Sequence, residues 1–276
     1  MLKLLTFNIL APSWASPTHY PESTLPLLDI DKRRPLILET IKQLVADCDV
    51  CALQETQEDE ICHYNELLCS LGFQGVHANH NDSYWEKSIT PDVPFVSNGV
   101  ALYWRTNSIE MNNIHIADLS DNGNRCIILN AKKDNKNIRI ACLHLDSDHG
   151  GRRKKESRML LDILKPDPKV RDIVIGDLNF DADNKSFKKT FGRHKFKDVL
   201  KAVGKEEKTH PYIDGYLGNS QYTIIDHVLV RNAKPINGKV NNFNVWNDGK
   251  TTEERVNLLF ERSGTDHFPV NAVIQL

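Results

Sequence analysis

The sequence predicts a two-sheet α/β sandwich built as one domain over residues 1–276. Three observations carry that expectation. Apolar runs of strand length recur from the start of the chain to its end, and amphipathic helical patterns lie between several of them. Runs near the middle follow one another with no helix between, which disfavours a purely doubly wound sheet. No Gly/Ser linker, low-complexity stretch or repeat of fixed period divides the chain.

The strand runs are 2–10, 50–53, 99–104, 126–130, 138–145, 173–175, 222–230 and 268–274. The helical pattern at 32–46 places Leu36, Ile37, Thr40, Ile41, Leu44 and Val45 on one face, and 58–71 and 153–164 behave similarly. Two long stretches, 11–31 and 77–97, follow neither period. Long irregular stretches inside compact domains are usually functional or disordered. Pro and the aromatics Trp14, Tyr20, Tyr84 and Trp85 mark these two as packed loops.

Composition limits the partners. With 40% apolar and 26% charged residues the chain can build an ordinary core. A net charge of −2 gives no general electrostatic grip on duplex DNA, so any hold on nucleic acid must be local. The first ten residues lack a signal-peptide pattern, and no apolar run approaches the ~18 residues of a membrane span. Most of the six cysteines sit in apolar stretches, as Cys51 and Cys142 do, which reads as reduced thiols in an intracellular, cytoplasmic protein. Cys48 and Cys51 form a C-x-x-C followed by Cys62-His63. That set could hold zinc, but Cys51 falls in a strand pattern and core thiols are the simpler reading. A monomer is expected.

Polar residues stand where buried strands should hand over to loops. Asn8 closes Leu4-Leu5-Thr6-Phe7, Gln54-Glu55 ends Val50-Cys51-Ala52-Leu53, and His144 lies near the end of 138–145. Asp177 and Asn179 follow Ile173-Val174-Ile175-Gly176, Asp226-His227 interrupts an apolar run, and Asp266-His267 precedes Phe268-Pro269-Val270. Carboxylates and imidazoles at a sheet edge are costly to bury unless paired or metal-bound. Six such placements in one chain point to one site. Their types suit one task. Magnesium takes hard oxygen ligands, and Glu55, Asn8 and Asp266 supply them. Asp177 with Asn179 can hold an attacking water, while His144 and His267 can donate to phosphoryl oxygens. Taken singly, Asn8 could be a strand-end cap, Asp177 an Asx turn, His144 a core histidine, and Asp226 and Asp266 ion-pair partners.

Leu5-Thr6-Phe7-Asn8, Leu53-Gln54-Glu55, His144-Leu145, Gly176-Asp177-Leu178-Asn179, Ile225-Asp226-His227 and Thr265-Asp266-His267-Phe268-Pro269 occur in that order. In this set the chain resembles the endonuclease/exonuclease/phosphatase superfamily over residues 2–274, and the nocturnin-like deadenylases most in pattern. The resemblance implies a four-layer, deoxyribonuclease I-like sandwich and a phosphoesterase using Mg2+, with Mn2+ as a substitute. It implies Glu55 as the direct metal ligand helped by Asn8, with Asp266 completing the metal side, often through water. Asp177 would orient or deprotonate the attacking water, and Asn179 would hold the phosphate. His267 would contact the phosphoryl group, with Asp226 fixing and charging its ring. His144 matches a position that is His in many members. His227 departs from the aromatic common after the Asp226-type residue, so its role is open.

Substrate class rests on further features. The long connection from Asn8 to Glu55 and the strand from Asn98 to Arg105 resemble the nocturnin-like group. Trp14, Tyr20, Tyr84 and Trp85 offer stacking faces to unpaired bases, or else pack their own loops. Arg152, Arg153, Lys154 and Lys155 open a predicted helix, where cations oppose the macrodipole. Arg152 and Arg153 are therefore candidates for substrate phosphates, against the plainer reading of a solvated charged face. The expected function is hydrolysis of a phosphodiester in single-stranded nucleic acid. The alternative is a phosphatase of a small phosphorylated substrate: an inositol phosphate, lipid headgroup or nucleotide. A non-catalytic phosphate-binding scaffold is the reading from another class.

Overall fold

The computed structural model describes residues 1–80, 96–120, 123–181, 184–205, 207–211 and 224–276. Tyr84, Trp85 and the first two residues of the strand expected at 222–230 lie outside them. The first sheet contains β1 (Leu2–Asn8), β2 (Val50–Gln57), β3 (Phe73–Asn79), β4 (Asn98–Arg105), β11 (Lys234–Val240) and β12 (Val270–Gln275). The second contains β5 (Glu110–Asp118), β6 (Arg125–Lys133), β7 (Lys136–His144), β8 (Val170–Asp177), β9 (Lys197–Asp198) and β10 (Asp226–Arg231). Their orders are β11-β12-β1-β2-β4-β3 and β5-β6-β7-β8-β10-β9. β1 with β2 and β7 with β8 run parallel, and the other neighbours are antiparallel.

Strand alternation builds the layers. Leu4, Ala52, Leu102 and Ile274 of the first sheet meet Ile127, Ile140, Ile175 and Val228 of the second in a central apolar core. The intervening residues Leu5, Phe7, Leu53 and Tyr103 face outward onto α1 (Ile30–Val45) and α2 (Ile61–Ser70) through Ile37, Ile41, Tyr64 and Leu68. On the opposite face, Ile128, Ala141 and Val174 pack under α3 (Gly150–Ile163) and α4 (Lys185–Phe191). The result is the expected four-layer α/β sandwich. Short helices α5 (Val199–Ala202) and α6 (Val245–Asp248) follow, and α7 (Thr252–Ser263) leads into β12. None of the described helices is long and apolar enough to cross a membrane.

Two backbone features aim the chain at one rim. Glu55 has φ of 57° at a register break in β2 between Gln54 and Thr56, so the strand stays paired while Glu55 is pushed out of the ladder. Gly176 has φ of 145°, and a Cβ there would sit 1.9 Å from the Leu143 carbonyl oxygen. Only glycine permits the approach that sets Asp177 level with His144.

Candidate active site

β1, β2, β7 and β8 end at this rim, while β10 and β12 begin at it. Asn8, Glu55, His144, Asp177, Asn179, Asp226, Asp266 and His267 are thereby brought together. Asn8 is fully buried, and its Nδ2 donates to Glu55 Oε1 at 2.8 Å and Asp177 Oδ2 at 3.1 Å. Its Oδ1 accepts from Leu10 N–H at 3.0 Å, which fixes the amide's orientation because the main-chain N–H can only donate. Glu55 Oε2 accepts from Ala11 N–H at 3.0 Å, leaving the carboxylate pinned but half-buried.

Asp177 stands at the centre. Its Oδ1 accepts from Asn179 N–H at 2.9 Å, and its Oδ2 lies 3.5 Å from His144 Nε2 and 3.8 Å from His267 Nε2. Asn179, with φ of 49°, donates from Nδ2 to the Leu145 carbonyl at 2.9 Å and to His144 Nε2 at 3.0 Å. His267 Nδ1 lies 3.0 Å from Asp226 Oδ2. Burial pushes the His267 pKa down, but the charge and hydrogen bond of Asp226, with Asp266 and Asp177, raise it to about 10. A buried imidazolium therefore faces the centre of the rim.

Several supporting residues carried no sequence signal for this role. Asp266 Oδ2 accepts from Tyr20 Oη–H at 2.9 Å and lies 3.4 Å from His210 Nε2. Burial raises the Asp266 pKa, yet the His210 bond, the His267 charge and the Tyr20 bond hold it below the usual carboxylate range. The His210 ring lies 4.5 Å from that of His267. Thr209 Oγ1 accepts from Ile225 N–H and Asp226 N–H, fixing the start of β10. The buried Arg33 donates to the carbonyls of Leu10 and Gly264 at 3.0 Å each, tying the loop after β1 to the turn before Asp266.

The donor set fits a hard divalent cation. Glu55, Asp177, Asp226 and Asp266 bring four carboxylates to one rim. Ligand atoms of Asp177, Asp226 and His267, and separately of His210, Asp266 and His267, lie within 4.8 Å of one another. Asp226 Oδ1 is buried without a hydrogen-bond partner. Oxygen donors in negative excess suit Mg2+ or Mn2+ better than a soft metal.

A family model described as Endonuclease/Exonuclease/phosphatase family matches residues 5–267. The chain belongs to the endonuclease/exonuclease/phosphatase family. Solved structures share its fold throughout. ANGEL2, a 2′,3′-cyclic phosphatase, aligns with a TM-score of 0.71 at 16% identity, over 100% of this chain and 95% of its own. The human nocturnin catalytic domain gives 0.70 at 19%, over 99% and 94%. A Bacteroides thetaiotaomicron mannosyl-6-phosphatase gives 0.69 at 15%, over 100% of each chain. At these identities the likeness is one of fold.

Other sequence candidates in this endonuclease/exonuclease/phosphatase family member take different places. Trp14 and Tyr20 pack beside Leu10, Leu28, Val256 and Phe260 in their own loop cluster. Arg153 donates to the carbonyls of Asp146 and Ser147 at 2.8 and 2.7 Å, and Arg152 lies 3.5 Å from Asp146 Oδ2. His227 points away from the rim and bonds Asp198 and the Phe180 carbonyl. Cys48 and Cys51 face the core under α1, and no metal-competent group among the described residues includes a cysteine.

Proposed function

We propose that this protein is a Mg2+- or Mn2+-dependent hydrolase of phosphodiesters in single-stranded nucleic acid, with RNA as the preferred class. The observation that carries hydrolysis is the buried Asp226–His267–Asp177 line, which sets an imidazolium beside a carboxylate able to hold water. Glu55 would hold the metal, with Asp266 completing the metal side, and Asn8 would keep Glu55 and Asp177 in register. Bound there, the cation would neutralise charge on the phosphoryl oxygens. Asp177 Oδ2 orients and deprotonates the attacking water, while the Asn179 amide and the His144 ring fix its approach. His267 donates from Nε2 to the phosphoryl oxygen as negative charge develops, with Asp226 keeping the ring charged.

The RNA preference is supported by the sequence motifs that resemble the nocturnin-like deadenylases. Fold likeness to a cyclic phosphatase and a sugar phosphatase favours a second reading, a phosphatase of a small phosphorylated compound. Turnover of oligo(A), abasic duplex DNA, mannose 6-phosphate and an inositol polyphosphate, each with Mg2+ and with EDTA, separates the two. Oligo(A) should be cleaved fastest, and only with metal. Glu55→Gln, which keeps shape and removes a charge, should lose most of that activity. Near-native turnover of Glu55→Gln at saturating Mg2+ would sink the metal role of Glu55.

A further inference from the structure

A chain with 35 basic and 37 acidic residues has a carboxylate for nearly every cation, so cations gathered without one carry information. Such a group lines a cavity of about 390 Å³ at the end of the sandwich opposite the candidate active site. Strand direction places it there. β8 runs from Val170 to Asp177 at the rim, while β10 and β12 run away from the rim to Arg231 and Gln275. The stretch of β8 from Arg171 to Asp177 spans roughly 20 Å at ~3.3 Å per residue. Both sheets build the walls: Arg171 and Lys197 stand on β8 and β9 of the second, Lys234 and Gln275 on β11 and β12 of the first.

Four lining side chains are cationic, Arg171, Lys195, Lys197 and Lys234, and none is acidic. Among the described residues none of the four takes part in an ion pair. Arg171 Nη1 donates to the Lys169 carbonyl at 2.9 Å, a neutral acceptor that leaves its charge in place. The cations beside them add to the excess, since Arg139 and Arg231 share the single carboxylate of Asp172, 2.7 Å from each. Leu276 also lines the cavity, and its main-chain oxygen accepts from Lys136 Nζ. Lys195 has φ of 63°, which glycine adopts without strain, so the turn before β9 does not itself call for lysine. Like charges held round one concavity repel, and they focus a field that draws in anions. The cavity has the size of a small-molecule site, larger than one phosphate needs. Grooves that hold single strands pair cations with aromatic faces for the bases, and no aromatic side chain lines this one. Converging cations without a stacking face suit phosphates clustered on one compact molecule.

We propose that Arg171, Lys195, Lys197 and Lys234 form a second binding site, remote from the active site, for a compact polyphosphate such as a nucleoside triphosphate or an inositol polyphosphate. Bound there, it would tie the two sheets together at their far end. The test is the melting temperature in EDTA with tripolyphosphate as the probe, run on the native chain, the Lys195→Gln/Lys234→Gln double variant and His267→Ala. At a hundredfold excess over its Kd, tripolyphosphate should raise the native Tm by about 5 °C. Both lysines are exposed, so the double variant should fold and turn over a minimal phosphodiester with Mg2+ at the native rate. It should bind tripolyphosphate about tenfold or more weakly by calorimetry and lose most of the Tm shift. His267→Ala should keep the shift, because the rim is not the site being filled. An equal shift in the double variant, or its loss in His267→Ala, overturns the proposal. So does an equal shift from sodium sulfate at matched ionic strength, which would mark a general salt effect. ATP and inositol hexakisphosphate distinguish the sources, and tighter binding of either than of tripolyphosphate supports the site and names the class. If the double variant loses affinity for oligo(A) while the native chain ignores tripolyphosphate, the cavity is a strand-binding surface and the polyphosphate reading is wrong.

Discussion

His227→Phe is the substitution whose outcome the structure specifies most fully. His227 is fully buried, with Nδ1 2.5 Å from Asp198 Oδ2 and Nε2 2.9 Å from the Phe180 carbonyl. A carbonyl can only accept and a carboxylate prefers to, so both ring nitrogens donate and the ring is an imidazolium. Burial pushes its pKa down, but the Asp198 bond and charge, with the Phe180 carbonyl, raise it above the ordinary value. Phenylalanine keeps the stack on Phe187, whose ring lies 4.7 Å away, but strands both acceptors. Breaking a buried pair from one side costs roughly 3–5 kcal/mol, which for a chain of this size lowers Tm by on the order of 10 °C. Asp198→Asn should cost less, about 1–2 kcal/mol, because a neutral ring can accept the amide N–H and still donate to Phe180. It also keeps the cap that Asp198 places on Lys201 N–H at the start of α5. The pH dependence has a fixed sign. A histidine whose folded pKa is raised contributes fully below the unfolded value near ~6.5 and loses that contribution as pH rises through the folded value. Melting curves of the native chain and His227→Phe should therefore diverge most near pH 6 and converge in alkali. A gap constant from pH 6 to 10 would refute the charged pair.

Asp177→Asn and His267→Ala should each lower kcat by roughly a hundredfold or more with little change in KM, read by steady-state kinetics on one substrate. A change in KM alone would contradict their roles. Arg33→Met should lower Tm and also activity, since Arg33 ties the loop whose Ala11 N–H holds Glu55. Full activity in a destabilised variant would show that the loop's position is set elsewhere. Arg152→Gln should weaken a long oligonucleotide more than a minimal diester and flatten the salt dependence of binding. Arg153→Gln should instead lower Tm, because its guanidinium holds the carbonyls of Asp146 and Ser147.

Among the described residues the four strands that no apolar run marks, β3, β5, β9 and β11, are the four sheet edges. The eight strands that apolar runs mark lie inside the sheets. The reason is physical. An inner strand is covered by the second sheet on one face and helices on the other, so it reads as a continuous apolar run. An edge strand is not: in β5 only Ala117 is buried, and β11 carries Pro235 and Lys234 as edges commonly do. The site follows the same logic. Asn8, Glu55, Asp177, Asp226 and His267 adjoin inner strands, where a polar residue interrupting an apolar run stands out. Tyr20, legible only as a loop aromatic, and His210 reach the rim from irregular chain, and only tertiary contacts give them their place beside Asp266. The α7 helix carries its boundary signals in the sequence. Thr251-x-x-Glu254 forms a capping box, and Gly264, with φ of 77°, ends the helix. That ending matters for function, because a Cβ at Gly264 would sit 2.6 Å from the Arg33 carbonyl oxygen. The turn that delivers Thr265, Asp266 and His267 to the rim thus depends on glycine at 264, and on the buried Arg33 packed against it.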